Sequence, residues 1–365
     1  MASAHFTIPP PKGIIYAPMD VAVMIAQGLG KKGHDVTFYA PLGTADMEGV
    51  RIETCDLVPL KQKYGGEVIL RQMETKEEGV DKLQERIEHY WDEFLLANMF
   101  KAAEGGKFDL LHIHPVSRAL ALSLSHPRIP VVYTLHDPIR PWRAKMYTLF
   151  KSSNQYFVPI SESQKKPTPD LNFTDTIYNG IDLGKFPFSE KIDNHFLWVG
   201  RIIPEKGPDK AMQAALQAEE NLTLIGPEVD NKYWDEEIKP FLSDRIKYIG
   251  HMPREKLYSH YQNAKALLVP IDWEEPFGLV MVEAMACGTP VIAFRRGSVP
   301  EVVVHGKTGF VVDTVSEMAD AMKKIDTIDR AACRKHVEDN FSVEKMVDNY
   351  ERVFQKIVGD TKKSD

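Results

Sequence analysis

Residues 274–290 read Glu-Glu-Pro-Phe-Gly-Leu-Val-Met-Val-Glu-Ala-Met-Ala-Cys-Gly-Thr-Pro, and this stretch constrains the fold more than any other. The apolar segment 266–271 predicts a strand that runs into this acidic loop. A predicted helix then begins near Phe277 and ends at Gly288. Glycine suits the left-handed position just past a helix end, and Pro290 bars continuation. A strand, a loop and a helix in this order form the unit from which parallel sheets are built.

Two carboxylates flank the start of this predicted helix. Glu275 lies just before the helix and Glu283 lies inside it. Eight residues at a rise of ~1.5 Å each separate them by roughly 10–12 Å. The amides of Phe277, Gly278 and Leu279 have no carbonyl partner at the helix start, so they form an anion site between the carboxylates. Gly278 also lets a ligand approach the backbone. The spacing matches the reach from the sugar to the ribose of a nucleotide sugar.

Two cations lie in another loop of the same kind. Arg201 and Lys206 follow the predicted strand 195–200 and precede a helix with apolar periodicity. Loops at the carboxyl ends of parallel strands are where α/β folds bind ligands. Arginine supplies a planar fork for phosphate oxygens, and lysine supplies a point charge. Taken alone, two surface charges would be the simpler interpretation. Together with segment 274–290, they predict a diphosphate site.

Segment 274–290 resembles the donor signature of retaining glycosyltransferases of family 4, which carry a Glu-x7-Glu motif on the GT-B fold. The resemblance covers residues 108–313, whereas the N-terminal third matches less well. It implies an α/β protein of two Rossmann-like domains that face each other across a cleft, with a C-terminal helix packing back on the first domain. The further matching motifs are Asn179-Gly180-Ile181-Asp182, Gly200-Arg201, Glu205-Lys206-Gly207, Gly297-Ser298-Val299-Pro300-Glu301 and Gly306-Lys307-Thr308-Gly309-Phe310.

The resemblance also implies a reaction. A sugar would move with retention from a nucleotide-sugar donor, UDP- or GDP-linked, to a carbohydrate, lipid-linked or small-molecule acceptor. Cations and helix amides would stabilise the charge on the leaving diphosphate, so no metal would be needed. Glu283 would accept hydrogen bonds from the ribose, and Glu275 would contact sugar hydroxyls. The implied catalytic residues are Glu275, His136, Arg201 and Lys206, and the implied donor-binding residues are Arg201, Lys206, Phe277, Gly278, Leu279, Val280 and Glu283.

The acceptor side is less clearly marked. His136 ends a predicted strand and matches the family histidine that contacts the donor sugar. His114 is a candidate for the acceptor side. Ser161 matches a position near the cleft, with a helix N-cap as the alternative. Relatives commonly carry Gly-Gly before the first helix, and here that pair falls on Tyr16-Ala17, with Gly13 as the only nearby glycine. Gly13 and Tyr16 therefore complete the predicted acceptor side.

Two other classes of function stay open. One is a nucleotide-sugar-binding protein without transferase activity, which the changed Gly-Gly loop motivates. Slow donor hydrolysis with no acceptor would favour it. The other is a sugar phosphorylase on the same scaffold, which would use phosphate and not a nucleotide as its co-substrate.

Two further patterns suggest cofactors, but their context is unfavourable. Gly28-Leu-Gly30-Lys-Lys-Gly33 matches the dinucleotide fingerprint, yet a predicted helix precedes it and a predicted strand follows it, the reverse of the required order. We expect these glycines to end a helix and form a turn.

His112 and His114 project from one side of a strand. A metal site needs three or four converging ligands, and the sequence shows no clear remainder. We expect no cofactor and no metal.

The composition indicates a soluble globular protein. The 365 residues suffice for two domains, and the hydrophobic share of 43% and charged share of 27% are ordinary. A net charge of −7 does not favour nucleic acid as a partner. No apolar run reaches the ~18 residues of a membrane-spanning helix. Residues 1–11 lack a signal-peptide pattern, and the three cysteines are scattered along the chain. We therefore expect a cytoplasmic location.

Short apolar runs alternate with helical patterns, which predicts βαβ units and parallel sheets. The pattern breaks near 179–194. We place there the boundary between an N-terminal domain, 1–186, and a C-terminal domain, 187–340. Residues 341–365 predict the returning helix. The predicted strands are 5–8, 35–40, 108–114, 131–136 and 155–160 in the first domain, and 195–200, 221–226, 246–250, 266–271 and 290–294 in the second.

Two segments carry unbalanced charge. Residues 74–93 hold eight acidic and three basic side chains. A solvated helix face is the simpler interpretation, and a lid over the acceptor is the alternative.

Residues 140–166 hold six basic side chains and one acid, interleaved with aromatic residues. An amphipathic helix with a basic outer face is the simpler interpretation, and a patch for an anionic acceptor or a peripheral membrane contact is the alternative.

Overall fold

The structure, a computed structural model, describes residues 1–2, 7–9, 17–54 and 80–364, with side chains in these ranges except those of 80–89 and 362–364. No helix in these ranges is long and apolar enough to cross a membrane. The chain forms two compact units. Unit 1 comprises Met1–Ile160, Lys165–Ile177 and Met346–Asp365, and unit 2 comprises Ser161–Gln164 and Tyr178–Lys345.

Unit 1 contains five described strands: β1 (Val36–Tyr39), β2 (Val50–Glu53), β3 (Leu111–Ile113), β4 (Val131–Leu135) and β5 (Gln155–Pro159). β1 pairs with β2, and β3, β4 and β5 pair in that order, always in parallel. Ala2 forms parallel bridges with Tyr39 and with Ile113, so it lies between β1 and β3. Strands of such sheets are buried on both faces, which explains the nearly continuous apolar sequences of β3 and β4.

Four described helices of unit 1 alternate with these strands: α1 (Ala17–Lys31), α2 (Val80–Glu104), α3 (Val116–Ser125) and α4 (Pro141–Leu149). α1 carries Asp20 in its first turn and Lys31 in its last, the charges that the helix dipole favours at each end. The core of unit 1 includes Leu96, Phe100, Ile113, Tyr133 and Phe157, so α2 contributes its C-terminal half to this core.

Unit 2 contains six described strands: β6 (Phe196–Val199), β7 (Leu222–Ile225), β8 (Ile246–Tyr248), β9 (Leu267–Val269), β10 (Val291–Phe294) and β11 (Gly309–Val312). They form one sheet in the order β11-β10-β9-β6-β7-β8, and all pairs are parallel. Along the sequence of unit 2, β7 and β8 are added on one side of β6, and β9, β10 and β11 are added on its other side. The strand order therefore reverses between β6 and β9.

The described helices of unit 2 are α5 (Pro208–Ala218), α6 (Asn231–Tyr233), α7 (Arg254–Asn263), α8 (Leu279–Ala286), α9 (Val299–Val302), α10 (Val315–Met322) and α11 (Arg330–Asn340). Local capping explains several of their starts. The side chain of Thr314 accepts a hydrogen bond from the Glu317 amide at the start of α10, and Asp329 does the same for Ala331 at the start of α11.

The last helix, α12 (Val343–Ser364), packs on the sheet of unit 1 through its residues from Met346 onward. Its Tyr350 is fully buried, and the Tyr350 hydroxyl lies 2.9 Å from Oγ1 of Thr134 on β4. The predicted return of the final helix to the first domain is confirmed.

The predicted α/β fold with parallel sheets in two Rossmann-like domains is confirmed. Strands form within nine of the ten predicted segments, and segment 5–8 lies largely outside the described residues. The prediction missed β2 and β11. Both are four-residue strands, β2 contains the charged residues Arg51 and Glu53, and β11 starts with a glycine, so neither has a long apolar run.

The prediction that Gly28, Gly30 and Gly33 end a helix and form a turn is partly wrong. Gly28 and Gly30 lie inside α1, whereas Gly33, with φ of 90°, follows the helix end. A Cβ at Gly28 would overlap the side chain of Val347 on α12, and a Cβ at Gly30 would overlap the backbone of Gly49. The first two glycines therefore permit close packing of α1, and only Gly33 serves the predicted turn.

Two glycines in neighbouring loops of unit 2 offer a matched test of backbone packing. Gly226 follows β7 with φ of 151°, and a Cβ there would overlap the carbonyl oxygen of Gly200. Gly250 follows β8 with φ of 82°, and a Cβ there would meet nothing within 4 Å. We expect Gly226→Ala to destabilise the protein by more than about 3 kcal/mol, whereas Gly250→Ala should cost only about 1–2 kcal/mol for its left-handed backbone. Calorimetric unfolding of both variants measures the difference. Equal losses would show that the loops after β6 and β7 can separate freely.

Candidate functional site

The reversal of strand order in unit 2 brings two predicted site loops together. One loop, 200–207, follows β6, and the other, 270–278, follows β9. β6 and β9 are adjacent parallel strands, with Leu197 paired to Leu267, so both loops leave the same edge of the sheet. In open α/β sheets, ligands bind at the carboxyl ends of strands where the order reverses.

An ion pair joins the two loops at this edge. The Nζ atom of Lys206 lies 2.7 Å from Oε2 of Glu275, and the indole nitrogen of Trp273 donates to the same oxygen at 2.8 Å. Lys206 also lies over the Trp273 ring, 4.4 Å from its centroid. The Glu275 side chain is only 12% exposed, so two donors compensate a carboxylate that has lost most of its water. The structure thus brings together two residues that the sequence placed in one site.

Backbone contacts fix the loop that carries Lys206. The Trp198 indole of β6 donates to the Lys206 carbonyl at 3.1 Å, and the Asp272 amide donates to the Glu205 carbonyl at 2.9 Å. Gly207 adopts φ of 64°, and a Cβ there would overlap the carbonyl oxygen of Pro270. Only glycine therefore allows the two loops to approach this closely.

A third segment, Gly297-Ser298, holds the backbone of Glu275. The Ser298 amide donates to the Glu275 carbonyl at 2.9 Å, and the Ser298 hydroxyl donates to the Phe277 carbonyl at 2.9 Å. The Gly297 amide donates to the carboxylate of Glu274 at 2.9 Å, and a Cβ at Gly297 would overlap the Glu275 backbone. The sequence motif 297–301 thus has a physical role, because it fixes the loop that presents Glu275.

The helix after this loop starts later than predicted. α8 begins at Leu279 and ends at Ala286, with Gly278 as N-cap in the left-handed conformation and Cys287 as C-cap. The first amides inside the helix therefore belong to Leu279 and Val280, and not to Phe277. Gly278 takes φ of 79°, and this turn places the helix start directly after the Glu275 loop.

Glu283 lies deeper than the sequence suggested. It is 5% exposed, and its two oxygens accept hydrogen bonds from Arg254 and, at 3.0 Å, from the Tyr261 hydroxyl. Both donors come from α7, which follows β8. Sequence reasoning did not identify Arg254 and Tyr261 as partners of Glu283. A signal was available, since Arg254 opens the helix after a parallel strand.

Arg201 does not join the ion pair. Its side chain is exposed, and no hydrogen bond or salt bridge joins it to another residue in the described ranges. It lies directly after Gly200 at the carboxyl end of β6, five residues before Lys206. Both cations therefore belong to the same loop, but only Lys206 has a fixed partner in the described part of unit 2.

Unit 1 holds the predicted histidines in one cluster. The Nδ1 atom of His114 lies 2.6 Å from Nε2 of His136, and the two rings stack with centroids 4.9 Å apart. The His112 and His114 centroids are 4.5 Å apart, and Nε2 of His112 lies 2.8 Å from Oγ1 of Thr134. In the described ranges, no three His, Cys, Asp or Glu side chains are arranged to hold a metal.

Burial keeps these imidazoles neutral. It lowers the pKa values of His112 and His114 well below the usual range of histidine, and it lowers the pKa of His136 to about 4. Loss of hydration disfavours a positive charge on any of these buried rings, and a charge on one ring would repel a charge on its neighbour. Each ring therefore carries one proton at neutral pH.

The remaining acceptor-side residues are only partly described. Gly13 and Tyr16 lie outside the described residues. Ser161 is fully buried, and its hydroxyl lies 2.9 Å from that of Ser163. The Ser163 amide donates instead to the carboxylate of Glu301 at 2.9 Å, so the alternative of an N-cap by Ser161 is not supported.

Two family models match the chain. The model described as Glycosyltransferase Family 4 matches residues 21–185, and the model described as Glycosyl transferases group 1 matches residues 185–336. The second match contains the loops of Lys206 and Glu275 and the helix of Glu283, and the first contains the histidine cluster.

Curated relatives have similar lengths. An uncharacterized glycosyltransferase of Methanocaldococcus jannaschii is 28% identical over 273 residues, which cover 70% of this chain and 77% of the relative. The N-acetyl-alpha-D-glucosaminyl L-malate synthase of Bacillus anthracis is 25% identical over 317 residues, covering 74% of this chain and 81% of the relative.

Solved structures share the fold at low sequence identity. AviGT4, a glycosyltransferase involved in avilamycin A biosynthesis, is 18% identical with a TM-score of 0.68, covering 97% of this chain and 93% of that one. HepE of Anabaena, solved in complex with UDP-glucose, is 17% identical with a TM-score of 0.66, covering 94% of this chain and 97% of that one.

The lowered pKa of His136 predicts a loss of stability in acid. Unfolded histidine takes up its proton near pH 6.5, whereas folded His136 does so only near a pKa of about 4. The unfolded state therefore binds more protons in this window, and stability that is complete above pH 6.5 falls as the pH drops toward 4. At full burial this shift corresponds to about 3 kcal/mol, and the partly exposed ring of His136 should give about 1–3 kcal/mol.

Urea unfolding at pH 7 and pH 4.5, for the native protein and His136→Gln, measures this contribution. The variant should lose less stability on acidification than the native protein. An equal loss in both proteins would contradict the assigned pKa.

Proposed function

We propose that this chain, a glycosyltransferase of the GT-B fold, moves a sugar from a nucleotide-sugar donor to its acceptor with retention and without a metal. The observation that carries the proposal is the ion pair of Lys206 and Glu275 at the reversal of strand order in unit 2. A cation and a carboxylate at this edge suit the two parts of a nucleotide sugar, since phosphates need positive charge and sugar hydroxyls need acceptors.

Lys206 can hold Glu275 and bind a phosphate of such a donor at the same time. An ammonium group has three N–H donors, and Glu275 accepts only one of them at 2.7 Å. The remaining donors are available to a phosphate oxygen. The amides of Leu279 and Val280 add the positive end of α8 to the same anion site. Arg201, exposed on the same loop, supplies a second cation for the diphosphate.

Glu283 is the proposed ribose contact. Its carboxylate already accepts from Arg254 and Tyr261, so its charge is compensated before any ligand binds. In the proposal, ribose hydroxyls donate hydrogen bonds to this carboxylate, whose oxygens are acceptors only. The buried position of Glu283 also fixes where the nucleoside end of the donor would lie.

In the proposed retaining reaction, the charges of the site stabilise the transition state. When the glycosidic bond breaks, negative charge grows on the leaving diphosphate, and Lys206, Arg201 and the α8 amides stabilise it. The leaving phosphate takes the proton of the acceptor hydroxyl, which attacks from the same face of the sugar. Glu275 stabilises positive charge at the anomeric carbon. His136 of unit 1 is the proposed contact to the sugar. Ser161, Gly13 and Tyr16 are the proposed acceptor-side residues, whereas His114 is buried beside His136. A UDP-linked donor is supported by the structural neighbour HepE, which was solved with UDP-glucose, and a GDP-linked donor is the alternative.

A donor screen tests the proposal. We expect one of the UDP-, GDP- or ADP-sugars to raise the melting temperature and then to give product with the anomeric configuration of the donor, as read by NMR. Turnover should persist in EDTA, because protein cations and helix amides take the place of a metal.

Each part of the proposal can fail separately. An inverted product would overturn retention, and loss of turnover in EDTA with rescue by magnesium or manganese would overturn metal independence. Donor binding with slow hydrolysis alone would favour a binding protein. Dependence on inorganic phosphate, with no nucleotide bound, would favour a phosphorylase.

Arg201→Ala and Lys206→Ala should lower turnover more than they weaken binding of the unreacted donor. Negative charge grows on the diphosphate only as the bond breaks, so these cations act mainly on the transition state. We expect a loss of about 100-fold or more in turnover for each variant. Lys307→Ala is the matched control, because Lys307 is an exposed lysine of the same unit in a loop before β11. If Arg201→Ala changes only the Michaelis constant, Arg201 is a ground-state binding residue. If it changes neither constant, Arg201 is outside the site.

A further inference from the structure

The histidine cluster of unit 1 contains one hydrogen bond whose direction sets the proton positions of two rings. Nδ1 of His114 and Nε2 of His136 are 2.6 Å apart, so one of them must carry the proton and the other must accept it. Both rings are neutral, because burial lowers both pKa values. Each ring therefore has only one proton to place, and the choice at this contact decides which nitrogen carries it in both rings.

The far nitrogen of His114 separates the two arrangements. Nε2 of His114 is buried and has no hydrogen-bond partner among the residues that the structure describes. If His136 donated at the contact, the proton of His114 would lie on this buried nitrogen as an N–H without an acceptor. If His114 donates, the buried nitrogen carries only a lone pair. Buried N–H groups without a partner are rarer than under-satisfied acceptors, so the second arrangement is favoured.

The outer nitrogen of His136 then takes a defined role. Nδ1 of His136 has no partner in the described ranges, and it is not among the buried unpartnered atoms, so it reaches solvent. With His114 as donor at the inner contact, this outer nitrogen carries the proton. His136 then presents an N–H donor, which suits the oxygen of a hydroxyl group.

We infer that His114 is a positioning residue that holds His136 with its proton on Nδ1, so that His136 donates a hydrogen bond to a sugar hydroxyl. The inference rests on the proposed role of His136 in the transferase reaction. It replaces the expectation that His114 itself lines the acceptor side, because His114 is 4% exposed.

The surrounding contacts hold His114 in place for this role. Its ring stacks on His136 with an interplanar angle of 16° and lies beside His112. His112 is fixed in turn by Thr134, whose hydroxyl also contacts Tyr350 of α12. These partners are nearly fully buried, so the donor nitrogen of His114 has little freedom to turn away from His136.

Long-range ¹H–¹⁵N spectra of histidine-labelled protein test the inference without any substrate. We expect a protonated Nδ1 and an unprotonated Nε2 for His136 in the native protein. His114→Asn should preserve this tautomer, because an asparagine amide can donate from nearly the place of imidazole Nδ1. His114→Leu removes the hydrogen-bond donor to Nε2 of His136. The fraction of His136 that is protonated on Nε2 should therefore rise. His126→Asn, at a histidine of the same unit that contacts the Leu122 carbonyl, is the control and should leave His136 unchanged.

Kinetics with the donor found in the screen provide the second measurement. His114→Leu should lower turnover about 5-fold or more with a smaller change in the Michaelis constant, and His114→Asn should restore most of it. A native His136 protonated on Nε2, or a tautomer unchanged in His114→Leu, would overturn the inference. The native spectrum decides the matter even if His114→Leu does not fold. Calorimetric binding of the donor reports on the proposed function separately, so the two can fail independently.

Discussion

The reversal of strand order between β6 and β9 is the constraint on which unit 2 depends. It sends two loops from adjacent strands to one edge of the sheet, and it forces their backbones close together. Gly207 makes this approach sterically allowed, since a Cβ there would overlap the carbonyl oxygen of Pro270. Gly297, in the loop after β10, likewise allows that loop to approach the backbone of Glu275. The ion pair of Lys206 and Glu275 is a consequence of this geometry, because its partners are 69 residues apart in sequence.

The charges of the site are compensated within the protein. Glu275 has Lys206 and Trp273, and Glu283 has Arg254 and Tyr261, so each buried carboxylate has two donors. Such donors stabilise the carboxylates against the cost of burial and hold them in one orientation. A ligand therefore meets groups that need little rearrangement, which favours stabilisation of charge as it develops.

The sequence predicted the fold and the two charged loops after β6 and β9, because both leave local signals. Short apolar runs mark the parallel strands, and glycines and charges mark the loops that follow them. The partners of Glu283 were missed, since Tyr261 and Arg254 approach it from α7, and the position of Arg254 after a parallel strand does not show which carboxylate it pairs with. Gly28 was misjudged for the same reason, because its close contact is with Val347, which lies far away in sequence. Local patterns define elements and loops, whereas contacts between distant segments require the folded chain.

α12 is synthesised last, yet it completes unit 1, whose other residues come from the first half of the chain. Tyr350 contacts Thr134 across a separation of 216 residues, and Val347 covers Gly28 on α1. While the ribosome is still making unit 2, the part of unit 1 that these side chains cover remains open, although most of its sequence has already emerged. Unit 2, whose residues 178–345 are continuous, can complete its core first. The first domain therefore stays incomplete until the last helix has emerged, and the surface that α12 covers is exposed until then.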